Sequence, residues 1–228
     1  MIGLTKNIPV LMYHQIDQPE THSSLVVSRE SFLQQVHWLR KKNFRFFSLE
    51  EIVRKKGKTL LTDRSVALTF DDGFLDNYEN LMSLSFIPAA IFVVVNWVGQ
   101  KGFMIWEQIR ELAERGVTIG SHALTHRWLP SIEDDSELER EVVDSKKKIE
   151  DEIGREVRWF SYPVGGTDER VAQYVQKAGY QAAWVAGAKP SLPIKDPLFC
   201  LRRVKVSPSD ISLLHFAIKA YGMKSFFY

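Results

Sequence analysis

The 228-residue sequence reads as a single α/β domain, a distorted (β/α)7-type barrel spanning residues 1–228. Three observations lead there. Short apolar or β-branched runs alternate with amphipathic stretches along nearly the whole chain, which implies parallel β-α-β units and about seven or eight strands. Several of those runs end abruptly in carboxylates or imidazoles, as strands do where a parallel α/β architecture gathers its chemistry at one end. The length is within reach of one domain with its own core, and it suits a closed or partly closed barrel better than a small open sheet.

In order along the chain, Ile8 to His14 is an apolar run that ends in a histidine and forms the first buried strand. Ser28 caps a helix whose apolar positions Phe32, Val36 and Leu39 recur at helical spacing. Phe44 to Phe47 is the next strand. Ser48 to Glu51 fits a capping box for a short basic helix ended by Gly57, and Lys55, Lys56 and Lys58 read as a solvated face. Ser65 to Phe70 is a buried strand that runs into Asp71-Asp72-Gly73. Helix 77–84 follows, then a strand over 89–95 that is too apolar for any other assignment. Trp106, Ile109, Leu112 and Ala113 mark a helix stopped by Gly116, and strand 117–121 delivers His122 and His126. Residues 133–152 form a long charged helix with Leu138, Val142 and Ile149 facing inward. Strand 157–162, a turn at 163–166, helix 169–177, strands 182–185 and 199–206, and a closing helix 209–220 complete the series.

Composition narrows the function classes. Hydrophobic residues at 45% and charged residues at 25% describe an ordinary globular chain. Thirty basic side chains against 28 acidic ones give no electrostatic reason to expect nucleic acid as a partner. Cys200 is the single cysteine, which excludes an intramolecular disulfide and a cysteine-rich metal site. Residues 1–7 lack the basic and apolar regions of a secretory signal, and no apolar run approaches the ~18 residues of a membrane span, so the sequence as written is expected to be cytoplasmic.

The chemistry concentrates in two motifs. Asp71 and Asp72 repel one another unless a positive charge lies close, and a divalent metal would supply it. A turn whose carboxylate caps the next helix is the alternative. His122 and His126, four residues apart, can reach one ion. Together with Asp72 they make a two-histidine, one-carboxylate set with open positions, suited to catalytic zinc or non-haem iron.

Thr69 to Gly73, Ser121 to His126 and Phe160 to Gly165 resemble the first three motifs of the NodB-homology polysaccharide deacetylases, carbohydrate esterase family four, in an order and spacing that agree over roughly residues 8 to 206. The resemblance implies a distorted β/α barrel and metal-dependent removal of an N-acetyl group from an N-acetylated glycan or glycoconjugate. It implies Asp71 as general base, Asp72, His122 and His126 as ligands of a divalent metal, most simply Zn2+ with Co2+, Ni2+ or Fe2+ as alternatives, and a third motif in which Pro163 and Val164 face substrate and the Val164 N–H serves the oxyanion.

Three departures from that pattern stand out. Ala123 replaces a small hydroxyl residue, Ser161 stands where many members carry an arginine, and Val164 replaces an aromatic. The late leucine-x-histidine motif that supplies the general acid has only Leu213-Leu214-His215 as a counterpart. Met12-Tyr13-His14 and Arg202 to Val206 instead resemble the circularly permuted branch that includes the poly-N-acetylglucosamine deacetylases. This implies His14 as acid and Arg203 as the missing arginine. Trp97, Trp106, Trp128 and Trp184 are candidates for stacking on a sugar, with core or rim packing as the alternative, and Trp184 is taken with Pro163 and Val164 as a substrate contact. Competing functions are deformylation or deacetylation of a small or lipid-linked sugar, and a barrel that binds carbohydrate without turning it over.

Overall fold

A computed structural model describes residues 8–17, 23–55, 64–84, 87–187 and 197–221. Gly57, Lys56, Lys58 and the segment 189–196 lie outside them. The elements run β1 (Val10–Tyr13), β2 (Gln15–Ile16), β3 (Val26–Val27), α1 (Arg29–Lys41), β4 (Arg45–Phe46), α2 (Leu49–Arg54), β5 (Ser65–Phe70), α3 (Leu75–Ser83), β6 (Ala89–Val93) and α4 (Trp106–Glu114). They continue with β7 (Thr118–Ser121), α5 (Asp135–Ile153), β8 (Trp159–Ser161), α6 (Glu169–Lys177), β9 (Ala182–Gly187), β10 (Leu201–Lys205) and α7 (Leu213–Ala220).

Strands β1, β5, β6, β7, β8, β9 and β10 pair in parallel around a closed ring, and the β1–β5 and β1–β10 ladders complete the circuit. The expected seven-stranded barrel is therefore present. The eighth strand, β4, shares an edge of β5 with β1. Phe46 pairs with Val66, and Val10 takes over at Ala67. The parallel pair β2–β3, too short to show as alternation, occupies the stretch between His14 and Ser28 to which the sequence assigned no element. The closing helix also differs, since Pro208 opens a separate 3-10 turn over Pro208–Ile211 before α7 begins.

Strand periodicity divides the core in two. Val10, Ala67, Ala90, Phe92, Trp159 and Leu201 fill the barrel interior, while Leu11, Leu68, Ile91, Ile119, Phe160 and Val204 face the helical layer. Helices α1 and α3 to α7 offer their apolar stripes to that outer layer, while α2 sets Leu49 and Ile52 against the interior cluster. α5 is capped by Asp134, which accepts from the Ser136 and Glu137 N–H groups, and it ends at Gly154 in the left-handed region. No helix among the described residues is long and apolar enough to cross a membrane.

The interior is narrow enough to dictate a glycine. A Cβ on Gly120 would stand 2.6 Å from the Phe92 ring and 2.9 Å from the Trp159 carbonyl oxygen. Gly120→Ala is expected to cost ~1–3 kcal/mol through overpacking. Urea unfolding monitored by circular dichroism checks it, and an unchanged midpoint would mean that the barrel yields at this point.

Candidate metal centre and active site

Parallel closure brings the ends of the barrel strands to one mouth, and the motif residues stand immediately beyond those ends. β1 delivers His14, β5 delivers Asp71 and Asp72, β7 delivers His122, and β8 delivers the turn Pro163–Gly165. Tyr13 pairs with Phe70, and the Asp71 N–H donates to the Tyr13 carbonyl at 3.0 Å, which places His14 beside Asp71. Among the described residues five non-glycine positions have positive φ, and four of them, Asp72, Ala123, His126 and Val164, are at this mouth. A left-handed backbone costs a β-carbon-bearing residue about 1 kcal/mol or more, so the surroundings must hold each in place.

Asp72, His122 and His126 converge with one ligand atom from each within 4.8 Å of the others. Asp72 Oδ1 lies 3.5 Å from His122 Nε2 and 3.4 Å from His126 Nε2. His122 Nδ1 donates to the Ser161 carbonyl at 2.7 Å, so its Nε2 turns a lone pair toward the cluster. Burial, opposed by Asp71, pushes the His122 pKa down to about 3 and keeps the ring neutral. Burial and the neighbouring Asp71 charge push Asp72 up to about 7, and its buried Oδ1 has no hydrogen-bond partner. Two neutral imidazoles and a carboxylate oxygen that lacks a donor form a set that fits a divalent cation.

Asp71 is held differently. Burial alone would raise its pKa, but Arg203 outweighs that and keeps the carboxyl well below the usual range. Arg203 Nη1 donates to Oδ1 at 2.6 Å and Nη2 to Oδ2 at 2.7 Å, a two-pronged pair in which the guanidinium is fully buried. Nη2 also donates to Ser161 Oγ at 2.7 Å, and Nη1 to Thr69 Oγ1 at 3.3 Å. The serine and the arginine together thus occupy the place beside Asp71, with Arg203 arriving from β10 rather than from β8.

Burial pushes His14 down to about 4, and its buried Nδ1 has no hydrogen-bond partner. Asp71 acts on it in the opposite sense, and the positive charges of Arg203 and Lys205 reinforce the lowering. His215 is elsewhere: it is exposed on α7, in the outer layer where Phe216 packs edge-on against Trp38 of α1. Pro163 is buried, while Val164 at φ +59° is 67% exposed beyond the end of β8. The stacking role expected for Trp184 is corrected here. Its side chain is fully buried in the barrel interior against Phe92 and Trp159, so it has no face to offer a sugar. Inward register on β9 is the physical reason, and a solitary tryptophan in an apolar run carries no sequence sign of which side it takes.

Glu141 is the residue that sequence reasoning missed. Embedded in the charged helix α5, it reads as solvated, yet it is 4% exposed and accepts from the Leu124 and Thr125 N–H groups, each at 3.0 Å, and from the Thr125 hydroxyl. It closes the loop between His122 and His126 from below. Its position three after Leu138, on the inward face of α5, is the only sequence signal that could have found it. Glu141→Ala is expected to leave the fold intact but weaken zinc affinity about 10- to 100-fold, measured by competition with a chromophoric chelator. Unaltered affinity would show that the loop holds its shape without Glu141.

Comparison with known proteins agrees with this geometry. The family model described as polysaccharide deacetylase matches residues 58–183, more than half of the chain. Bacillus subtilis (strain 168) YxkH is 29% identical over 211 residues, which cover 88% of this chain and 72% of that protein. A poly-beta-1,6-N-acetyl-D-glucosamine N-deacetylase of Staphylococcus epidermidis is 25% identical over 75% of this chain, and the match spans 64% of that relative's length. The crystal structure of BC0361, a polysaccharide deacetylase from Bacillus cereus, superposes with a TM-score of 0.80 at 28% identity, covering 94% of this chain and 69% of that one. With the strand-end motifs in register and the family model spanning β5 through β8, the chain belongs to the polysaccharide deacetylase family, NodB-homology carbohydrate esterase family four.

Proposed function

We propose that this protein hydrolyses the N-acetyl group of N-acetylhexosamine units in a polysaccharide or glycoconjugate, with a divalent metal, zinc first, held by Asp72, His122 and His126. The observation that carries the reading is the three-donor cluster standing open beside a carboxylate locked in its ionised form. The staphylococcal relative, named for N-deacetylation of poly-β-1,6-N-acetylglucosamine, supports an amino-sugar polymer as substrate.

When bound, such a cation polarises the acetamide carbonyl and makes a water molecule acidic enough for a weakly basic carboxylate to deprotonate. Asp71 takes the proton from the attacking water, with both its oxygens aligned by Arg203. The water oxygen bonds to the carbonyl carbon, and the Val164 N–H donates to the oxygen that gains charge. The proton does not rest on Asp71, because the Arg203 pair favours the ionised carboxyl. His14, neutral in the resting protein and next to Asp71, receives it and passes it to the amide nitrogen as the C–N bond breaks. Acetate and the free amine leave. Without that last transfer the amine is a very poor leaving group.

Zinc-loaded protein is expected to release acetate from tetramers of β-1,6- or β-1,4-linked N-acetylglucosamine, and a chelator or Asp71→Asn should abolish release. Absence of release from every N-acetylated glycan tried, with zinc bound, would end the deacetylase reading. His14→Ala should keep its zinc while turnover falls by about 10²–10⁴; undiminished turnover would remove His14 from the proton path. Metal affinity should depend on pH with a definite sign. With Asp72 raised to about 7, the metal-free carboxyl is increasingly protonated below that pH, and metal must displace the proton. Affinity should therefore weaken as pH falls from 7 to 5, and calorimetry in buffers of different ionisation enthalpy should show proton release on binding.

A further inference from the structure

Trp128, two residues after His126, is 52% exposed, the most exposed aromatic side chain among the described residues. Its backbone is nevertheless anchored. The Trp128 carbonyl accepts from the Ser131 N–H at 3.0 Å and from the Ser131 hydroxyl at 2.7 Å, and the next side chain, Leu129, is fully buried. The indole edge rests on Gly166, where an added Cβ would lie 2.7 Å from Nε1. Gly166 directly follows the Pro163–Gly165 turn that carries the exposed Val164. The loops after the paired strands β7 and β8 thus raise an apolar shelf of Trp128 and Val164 beside the candidate metal ligands. Trp97 contrasts with it, because its rings are already engaged by His126 at 4.8 Å and Phe103 at 5.0 Å.

An indole with a fixed edge and an open face matches the apolar C–H face of a pyranose ring, and a pre-positioned aromatic loses little side-chain entropy on binding. Resting on the glycan-deacetylase reading above, we propose that Trp128 forms a subsite for the sugar ring adjoining the one deacetylated. It fixes where along a glycan the enzyme acts while leaving the chemistry to the strand-end residues.

The test uses the zinc-loaded full chain with tetramers of β-1,6- and β-1,4-linked N-acetylglucosamine and with the monomer. Binding is read by calorimetry in an Asp71→Asn background that prevents turnover, and kinetics by acetate release. Trp128→Ala should weaken tetramer binding and raise its KM about tenfold with kcat within twofold, leave the monomer unaffected, and retain zinc. Trp128→Phe should fall between. Gly166→Ala offers an independent arm, because Gly166 has an ordinary φ of −108° that accepts alanine while the new Cβ displaces the indole. It should weaken tetramer binding with Trp128 still present. Equal losses on tetramer and monomer, or tetramer binding by Trp128→Ala as tight as by wild type, would overturn the subsite. Should no acetate be released from any sugar, the deacetylase reading falls. Tetramer binding that needs Trp128 would then still uphold the subsite, and binding that is absent from the wild type would remove it.

Discussion

The buried pair between Arg203 and Asp71 is the interaction on which the mouth of the barrel depends. Both charges are almost wholly out of water, at 0% and 3% side-chain exposure. Such a pair persists only when its geometry is good and its remaining valences are met, and breaking it from one side typically costs about 3–5 kcal/mol. Here both carboxylate oxygens are used, and Ser161 and Thr69 take further guanidinium hydrogens, which leaves only the buried Arg203 Nε–H without a partner. The guanidinium also lies over the Phe92 ring at 5.3 Å, so the barrel interior supports it from below. The pair neutralises itself and leaves Asp72, next along the chain, as the carboxyl without a cation. That asymmetry divides two adjacent aspartates into one locked anion and one candidate metal ligand.

The apolar barrel interior makes this possible by excluding water beneath the site. Small and large side chains alternate inside it, Ala67, Ala90 and Ala182 against Phe92, Trp159 and Trp184. Gly120 leaves the room that the Phe92 ring fills. A second close approach lies nearer the mouth. Gly165 has φ +75°, and a Cβ there would meet that of Ala186 at 2.2 Å, so the turn after β8 lies directly against β9. The turn's neighbour Val164, at positive φ, is held in place by that close approach.

The loop between His122 and His126 is stabilised from outside the barrel. Ala123 is fully buried, and its carbonyl accepts from the Val95 N–H while the Leu124 carbonyl accepts from the Asn96 N–H. Glu141 takes the donors of the following residues. A buried acceptor on a helix thus satisfies a loop whose backbone twice enters the left-handed region, at Ala123 and at His126. Backbone pairing with residues 95–96 and the Glu141 carboxylate of α5 together hold this loop.

Periodicity and strand-end chemistry were legible in the chain itself. The alternation of runs predicted the parallel barrel, and Asp71-Asp72-Gly73 and the His122–His126 spacing marked the mouth, because strands, caps and short motifs are local and leave their pattern in consecutive residues. The β2–β3 pair was not legible, since two-residue strands are too short to alternate. Nor was the buried side of Trp184, the acceptor role of Glu141 or the open face of Trp128, since each depends on which neighbour closes over it. The sequence by itself determined the fold class and the donor set. The resemblance pointed to Arg203, but tertiary structure decided its two-pronged hold on Asp71, 132 residues away, because only closure of the barrel between β1 and β10 brings that guanidinium into the interior where a charge must find its counter-charge.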